Sequence, residues 1–388
     1  MTSTRSILFH YPVFNVGGAE KSSLRMIKAF VARGWRVTFV LTVPGGNMEH
    51  LLPPEVEVLH LRSKAVGQRF FAAKGLNRIK VLSDLICYVG QRFVQFFRER
   101  KLKKRQFNVA AALLTGMSTA FIRKHIHADK KVLWIRNDLK GIDTTGQIAA
   151  GISTGDPEID LYICVSETAR ESLVQAVPST ERKAHVVYNL LDSEEMLSLA
   201  CASTAPSAMN VNKTKILTVC RLSDKSKAIF RLARICKELK NKGYDFIWFV
   251  VGDGPDKEKL SSLITELELS SHLILLGRLE NPFPAYKVAD IVAVVSYYEG
   301  LCGIINEAKI MKKAVLAAEV SGVHEQLVHE ETGLVCENSE VDILAGLERL
   351  LTDNVLRVKL AKSGYTKKIT DDELKLHRLE MLFETKSS

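Results

Sequence analysis

The stretch that decides the fold runs from Ala289 to Lys313: Ala-Asp-Ile-Val-Ala-Val-Val-Ser-Tyr-Tyr-Glu-Gly-Leu-Cys-Gly-Ile-Ile-Asn-Glu-Ala-Lys-Ile-Met-Lys-Lys. Its first eight residues are mostly apolar and predict a buried strand, whereas residues 308–313 predict a short helix. Two carboxylates, Glu299 and Glu307, therefore lie at a strand-to-helix turn, the first just before the helix start and the second about two turns into the helix. In an α/β sheet, such turns present polar groups to a ligand.

Backbone N–H groups of the same turn add a second feature. The unpaired N–H groups at a helix start favour phosphate or sugar oxygens, because they carry partial positive charge. Two carboxylates that accept hydrogen bonds from hydroxyls, beside a cradle for an anion, predict a sugar-nucleotide site. The backbone groups concerned belong to Leu301, Cys302, Gly303 and Ile304.

Strands and helices alternate along the whole chain. This alternation predicts an α/β fold with mostly parallel sheets covered by helices on both faces. Because the pattern restarts in the second half, we expect two Rossmann-like, doubly wound domains that face a cleft. The predicted strands are residues 6–11, 36–41, 56–61, 108–114, 131–135, 160–165, 215–219, 246–251, 273–276 and 289–296.

The chain length also favours two domains, since 388 residues exceed one ordinary core. Small and polar residues dominate positions 198–213 and predict a linker. We therefore expect an acceptor-binding domain at 1–195 and a nucleotide-sugar-binding domain at 196–370. A C-terminal helix at 371–388 is expected to return to the first domain.

Composition excludes several classes of protein. The seven cysteines form no CxxC pair, which favours free thiols in a reducing cytosol. No apolar run of about 18 residues exists, and no export signal precedes the first strand. Histidines lack metal-ligand spacing and Asp-x-Asp is absent, so we expect neither a metal nor another cofactor.

Two further turns follow predicted strands and are candidates for phosphate binding. Gly17-Gly18 lies at the first strand-helix turn, where glycine lets the backbone approach a diphosphate closely. The segment from Arg221 to Lys227 places cations after the first strand of the second half, which suits a diphosphate leaving group. A plain tight turn and a solvated loop are the alternative interpretations.

The turn from Gly277 to Pro284 contains Arg278 and has two interpretations of equal weight. Its backbone amides could hold a base edge, or its prolines could simply define the entry to the next helix.

Positive charge is concentrated in residues 62–105. This segment contains thirteen Lys or Arg and two acids, a net of +11, whereas the whole chain carries +10. Aromatic residues lie beside the cations, a combination typical of proteins that bind an anionic membrane surface. A solvated helix whose Phe residues pack on the sheet is the alternative, and nucleic-acid binding ranks third because no nucleic-acid motif accompanies the charge.

These motifs together resemble the retaining glycosyltransferases of family 4, which have the two-domain GT-B architecture, and the resemblance covers nearly the whole chain. Among members of that family, bacterial lipopolysaccharide, capsule and exopolysaccharide enzymes are the most similar. The Glu-x7-Glu signature formed by Glu299 and Glu307 is the most specific match. The other matching segments are Gly17 to Glu20, Val165 to Glu167, Val187 to Asn189 with Asp192, Arg221 to Lys227, Val250 to Pro255 and Asn281-Pro282.

The resemblance implies a role for each matching residue. Arg221 and Lys227 would neutralise the donor diphosphate as it leaves. Glu299 would hold a hydroxyl of the donor sugar, and Glu307 the ribose hydroxyls. The donor-binding set that it implies is completed by Gly17, Gly18, Gly252, Arg278, Leu301, Cys302, Gly303 and Ile304.

The resemblance also implies partners and a location. The donor would be a nucleotide sugar, UDP- in preference to GDP-linked, and the acceptor a lipid-linked glycan. The protein would be cytoplasmic and peripheral on the inner face of the cell membrane.

One segment departs from the family pattern. Relatives often carry His where this chain has Arg136, within Trp-Ile-Arg-Asn-Asp. Arginine cannot act as a base at neutral pH. Either that histidine is not essential here, or the donor sugar differs, or Asn137 or Asp138 assumes the polar role near the sugar or acceptor. Two alternatives stay open: a nucleotide-sugar epimerase or phosphorylase on the same fold, or a catalytically weak membrane-associated partner of another glycosyltransferase.

Overall fold

The computed structural model describes residues 5–64, 82–116 and 119–385. The described residues divide into two compact units. Unit 1 comprises Met1–Val165, Ala169–Leu190 and Glu373–Ser388, and unit 2 comprises Ser166–Thr168 and Leu191–Asp372. Apart from the short segment Ser166–Thr168, unit 2 thus begins at Leu191, five residues before the predicted start of the second domain at residue 196.

Each unit is built on one parallel sheet. The strand order is β3-β2-β1-β4-β5-β6-β7 in unit 1 and β10-β9-β8-β11-β12-β13 in unit 2. The strands of unit 1 are β1 Ser6–Tyr11, β2 Arg36–Leu41, β3 Glu57–His60, β4 Gln106–Ala112, β5 His127–Ile135, β6 Leu161–Cys164 and β7 Ala184–Val186. Those of unit 2 are β8 Thr214–Val219, β9 Phe246–Val251, β10 Leu273–Gly277, β11 Ile291–Val294, β12 Ala314–Ala318 and β13 Leu334–Cys336.

Helices connect these strands and cover the sheets. In the first half they are Gly18–Ala32, Leu82–Leu102, Ala120–His125, Leu139–Ile142, Gln147–Gly155, Glu167–Ala176 and Ser193–Cys201. In the second half they are Asp224–Lys227, Ile229–Asn241, Lys257–Glu266, Phe283–Val288, Gly303–Ile310, Val323–Gln326, Glu340–Thr352, Asn354–Lys362, Lys367–Thr370 and Asp372–Glu384. Short 3₁₀ turns lie at Glu49–Leu51, Asp156–Glu158, Pro178–Lys183 and Ser207–Met209.

The predicted fold class is confirmed, since two doubly wound parallel sheets are present. The apolar runs that predicted strands become fully buried ones, as in β1, β9 and β11, because parallel strands are covered on both faces. The helix after β11 begins at Gly303, within the predicted helix start at Leu301 to Ile304. One boundary differs from the prediction, since the segment 198–201 belongs to a helix rather than to the linker.

The C-terminal helix Asp372–Glu384 packs within unit 1. Its Glu380 carboxylate accepts hydrogen bonds from the Trp35 indole at 2.9 Å and from Arg33 at 2.6 Å. The Phe383 ring stacks on Phe30 with a centroid distance of 6.0 Å. Aromatic burial and a charge-assisted hydrogen bond therefore hold the end of the chain on this unit.

In unit 2, glycine allows the loops after β8 and β9 to approach each other. Gly252 has φ of 149°, and a Cβ there would lie 1.8 Å from the carbonyl oxygen of Cys220. A Cβ on Gly254 would similarly lie 2.4 Å from the carbonyl oxygen of Leu222. The Gly-Asp-Gly sequence therefore determines the position of the loop that carries Arg221.

We expect Gly252→Ala to destabilise unit 2 by about 3 kcal/mol or more, because the added methyl collides with backbone that cannot move alone. Gly243→Ala is the matched control, since Gly243 also has positive φ, 79°, but faces open space. Its cost should stay near 1 kcal/mol. Urea denaturation measures both values, and equal costs would contradict the steric explanation.

Candidate functional site

The predicted site residues of unit 2 gather at one edge of its sheet. Because all strands run parallel, their carboxyl ends meet there. Arg221 follows β8, Gly252 follows β9, Arg278 follows β10 and Glu299 follows β11. The strand order reverses between β8 and β11, and ligands of open α/β sheets bind beside such a switch point.

An ion pair joins the two loops that flank the switch point. The Lys227 ammonium lies 2.6 Å from Glu299 Oε1. The Ser296 hydroxyl donates a hydrogen bond to the same oxygen, also at 2.6 Å. Both contacts are made to Oε1, so Oε2 of Glu299 takes part in neither of them.

The ion pair fixes the charge state of Lys227. Burial acts to lower the pKa of Lys227, but the negative charge of Glu299 and its hydrogen bond outweigh burial. The pKa of Lys227 therefore lies above its ordinary value, and its ammonium stays charged at neutral pH. Such a group can stabilise an anion but cannot act as a base.

Glu307 is positioned by a buried tyrosine. The Tyr286 hydroxyl donates a hydrogen bond of 2.8 Å to Glu307 Oε2. Burial, and next the charge of Glu307, raise the pKa of Tyr286 well above its ordinary value. Tyr286 is therefore a permanent donor, and it holds one carboxylate oxygen while Oε1 points away from this bond.

The turn between the two glutamates ends at Cys302, the N-cap of helix Gly303–Ile310. Burial raises the pKa of the Cys302 thiol to about 12, and the charge of Glu299 adds to this effect. A neutral thiol is a poor nucleophile. Since no side chain caps this helix end, its first backbone N–H groups remain suited to a ligand's oxygen atoms.

The remaining predicted residues of this edge lie at the surface. The side chains of Arg221 and Arg278 are exposed, and Gly252 is half-buried. Lys227 is followed by Ala228, which has a left-handed backbone with φ of 51°. This conformation, ordinarily a glycine's, ends the short helix that carries Lys227.

In unit 1, Gly17 and Gly18 form the start of helix Gly18–Ala32 after β1. The Glu20 carboxylate folds back against Gly17, at the place where a Cβ would stand. An acidic group at a helix N-terminus is favoured by the helix dipole. A diphosphate at this turn would therefore meet a carboxylate already beside it.

Arg136 lies in the interior of unit 1, with 7% of its surface exposed. Its guanidinium donates to the Leu113 carbonyl at 2.6 Å and to the Ser23 hydroxyl at 3.0 Å. A third N–H donates to Asn189 at 3.2 Å and to Ser22 at 3.3 Å. Burial lowers the pKa of Arg136 to about 10, so it remains a cation whose donors point into the protein.

The two residues after Arg136 differ in their surroundings. Asn137 is exposed, whereas Asp138 caps helix Leu139–Ile142 by accepting a hydrogen bond of 2.9 Å from the Lys140 amide. Asp138 thus already has a structural partner, and Asn137 is the more accessible of the two. The ligand-binding roles predicted for all these residues stay predictions.

Sequence reasoning missed three polar side chains of the site: Tyr286, Ser296 and Gln326. Ser296 was detectable, since it directly follows the strand that leads to Glu299. Tyr286 and Gln326 lie 21 and 20 residues from their partners Glu307 and Asn306, and no local pattern connects them.

Residues 5–64, 82–116 and 119–385 contain no group of three His, Cys, Asp or Glu side chains arranged to hold a metal ion. None of their helices combines the length and apolar character needed to span a bilayer.

With this geometry in place, comparisons identify related proteins. Residues 203–367, all in unit 2, match the family model described as glycosyl transferases group 1. The chain is 30% identical over 224 residues to the N-acetylgalactosamine-N,N'-diacetylbacillosaminyl-diphospho-undecaprenol 4-alpha-N-acetylgalactosaminyltransferase of Campylobacter jejuni, covering 57% of this chain and 59% of that protein. It is 29% identical over 141 residues to the lipopolysaccharide core biosynthesis glycosyltransferase LpsD of Rhizobium meliloti, covering 36% and 40%. The matches thus span less than two thirds of these relatives' length.

Solved structures show the same fold over nearly the full chain. HepE of Anabaena, in complex with UDP and glucose, superposes with a TM-score of 0.75 at 17% identity, covering 98% of this chain and 100% of that one. WaaG, a glycosyltransferase involved in lipopolysaccharide biosynthesis, gives 0.70 at 14% identity with the same coverage. The fold is therefore that of GT-B glycosyltransferases.

We expect Arg136→Met to destabilise unit 1 by about 2 kcal/mol, because it leaves the buried Leu113 carbonyl without its side-chain donor and the Asn189 amide oxygen with the Ser22 hydroxyl but no guanidinium. Arg221→Met is the control: its side chain is exposed, and its cost should stay within about 0.5 kcal/mol. Heat denaturation compares the two variants. An unchanged midpoint for Arg136→Met would show that the buried guanidinium has no structural role.

Proposed function

We propose that the chain is a retaining glycosyltransferase that needs no metal. It moves a hexose from a nucleotide-diphosphate sugar, UDP- in preference to GDP-linked, onto a lipid-linked or polysaccharide acceptor. The proposed products are lipopolysaccharide and related cell-surface glycans, and the transfer takes place at the inner face of the cell membrane.

One observation carries this proposal: the Lys227–Glu299 pair lies at the switch point of the second sheet, with Glu307 on the adjoining helix. A cation and two carboxylates there match the parts of a nucleotide sugar. Phosphate oxygens need the cation and the helix N-terminus, whereas ribose and hexose hydroxyls need the acceptors.

The proposed reaction uses these groups in fixed roles. The acceptor hydroxyl attacks the anomeric carbon on the face from which the diphosphate leaves, so configuration is retained. The bond from that carbon to the diphosphate oxygen breaks, and a diphosphate oxygen takes the hydroxyl proton. Lys227 and Arg221 stabilise the charge on the departing diphosphate, a preorganised electrostatic effect that replaces a metal ion.

The comparisons support the nucleotide and the product class. HepE was solved with UDP and glucose and also with UDP-glucose, and the Campylobacter relative is named for a diphospho-undecaprenol acceptor. We extend both properties, a uridine nucleotide and a lipid-linked acceptor, to this chain.

The first test concerns the donor. We expect Glu307→Gln to weaken UDP-sugar binding about tenfold or more, because it removes a charged acceptor for the ribose hydroxyls. Titration calorimetry with UDP-glucose, UDP-N-acetylglucosamine, UDP-galactose and the GDP sugars measures the affinity and selects the donor.

Glu266→Gln is the matched control for this test. Glu266 is exposed at the end of helix Lys257–Glu266 in the same unit. The Glu266→Gln variant should therefore bind the UDP-sugar with the affinity of the wild type. If the wild-type protein binds none of these nucleotide sugars, the proposal is overturned. Interconversion of donors without an acceptor would favour an epimerase, and tight binding without transfer would favour a non-catalytic partner.

The proposal also includes association with an anionic membrane, and helix Leu82–Leu102 supports it. An ordinary surface helix buries apolar side chains and exposes polar ones. This helix instead buries two polar side chains and exposes several large apolar ones. It buries Gln95 and Glu99, which are 8% and 9% exposed, and Gln95 donates a 2.6 Å hydrogen bond to Glu99. The large apolar side chains that it exposes are Ile86, Val89, Phe93, Phe96 and Phe97.

Cations surround this apolar face. Arg92, Arg98 and Arg100 lie on the helix, and exposed Lys101, Lys103 and Lys104 follow around its end. Exposed Phe rings flanked by cations fit the boundary between lipid headgroups and acyl chains. The predicted segment 62–105 also includes residues 65–81, which lie outside the described residues.

We expect a Phe93→Ser, Phe97→Ser double variant to lose most of its binding to anionic vesicles, because these two rings are about 65% exposed and would supply the apolar contact. Sedimentation with phosphatidylglycerol-containing and pure phosphatidylcholine vesicles measures the binding.

The matched control is Val355→Ser, which removes an even more exposed apolar side chain from helix Asn354–Lys362 of unit 2 and should bind as the wild type does. Wild-type binding that is equal for both vesicle types would contradict an electrostatic contribution. Unchanged binding by the double variant would remove the helix from the proposal.

A further inference from the structure

A buried glutamine makes a two-point contact with the turn between Glu299 and Glu307. The Cys302 N–H donates to Gln326 Oε1 at 3.0 Å, and Gln326 Nε2 donates to the Cys302 carbonyl at 2.9 Å. One side-chain amide thus pairs with both backbone groups of one residue, as a neighbouring strand would. Only 3% of Gln326 is exposed.

The orientation of this amide is fixed from the other side. Gln326 Nε2 also donates to Asn306 Oδ1 at 2.5 Å, and the Tyr365 hydroxyl bonds the same Asn306 oxygen. If the amide were flipped, its oxygen would face two acceptors, the Cys302 carbonyl and Asn306 Oδ1. Its NH2 group would then face the Cys302 N–H, which is also a donor. Only one arrangement of Gln326 therefore satisfies these buried groups.

The contact lies where the proposed site needs rigidity. Cys302 is the N-cap of helix Gly303–Ile310, and its side chain makes no capping bond. Asn306 precedes Glu307 in the same helix. Gln326 therefore links the peptide that directs the Gly303 and Ile304 N–H groups to the helix turn that carries Glu307.

We propose that Gln326 is a positioning residue for the nucleotide-sugar donor. By holding the Cys302 peptide, it keeps the helix-start N–H groups and the two glutamates in the geometry that receives one ligand. This inference rests on the proposed function. Gln326 acts through Cys302 and Asn306 and is not itself assigned any contact with the donor.

Gln326→Glu tests this role with nearly identical shape. An ionised carboxylate cannot donate to the Cys302 carbonyl or to Asn306, so donor affinity should fall about tenfold at pH 8. Burial beside two acceptors raises the pKa of such a carboxyl. As the pH falls to about 5.5, the protonated acid regains a donor, and the affinity relative to wild type should recover.

Two further variants separate positioning from stability. Lys309→Met removes an equally buried side chain from helix Gly303–Ile310, which carries Glu307. In the wild type, the Lys309 ammonium donates hydrogen bonds to the Thr332 and Leu360 carbonyls and to the Ser363 hydroxyl. We expect Lys309→Met to lower the melting temperature but to leave donor affinity within about twofold. Gln326→Met should lose affinity at every pH, and it replaces Gln326→Glu if the latter does not fold.

Titration calorimetry with the donor selected for the wild type provides the result. A loss in Gln326→Glu that reverses with falling pH, absent in Lys309→Met, supports the inference. Wild-type affinity in the Gln326 variants, or a loss without recovery in folded Gln326→Glu, overturns it. A wild type that binds no nucleotide sugar overturns the proposed function instead, so the two failures are distinguishable.

Discussion

The structure of the candidate site depends on the ion pair between Lys227 and Glu299. These groups follow β8 and β11, which are neighbours in the sheet through the register Ile291 with Ile216. Two partly buried charges lose hydration, and each is tolerable only beside the other. A change in the register of β8 against β11 would separate the two charges. The geometry of the site therefore depends on how these two strands are aligned.

The same pair determines what can bind. Lys227 and Ser296 both engage Oε1 of Glu299, whereas Tyr286 engages Oε2 of Glu307. In each carboxylate, these hydrogen bonds thus hold one oxygen, and this contact fixes the orientation of the other oxygen. A neutral polyol would use only these acceptors, whereas a diphosphate would also need Lys227, whose positive charge is already maintained by Glu299. A ligand that carries both kinds of group uses the whole arrangement.

Local sequence patterns predicted the sheets but only part of the site. Buried parallel strands are continuous apolar runs, as in Phe246–Val251, and they need no long-range information. Glu299 and Lys227 were predictable because both follow such strands. The helix start near Gly303 was also predictable, because it follows a buried strand and its turn directly. The partners Tyr286 and Gln326 were missed because they arrive from other loops, and their pairing depends on the finished fold.

The position of Arg136 limits how the proposed chemistry can work. A residue near the donor sugar would need donors or acceptors directed outwards, yet this guanidinium donates to Leu113, Ser23 and Asn189 inside unit 1. The family histidine that the resemblance places here could exchange a proton, whereas Arg136 keeps its charge. Under the proposed function, Glu299 and the amides around Cys302 would therefore recognise the sugar, with Asn137 as the accessible polar group nearest to Arg136 in sequence. A rigid Cys302 turn would then matter more for donor binding than it would in a chain with a histidine at position 136.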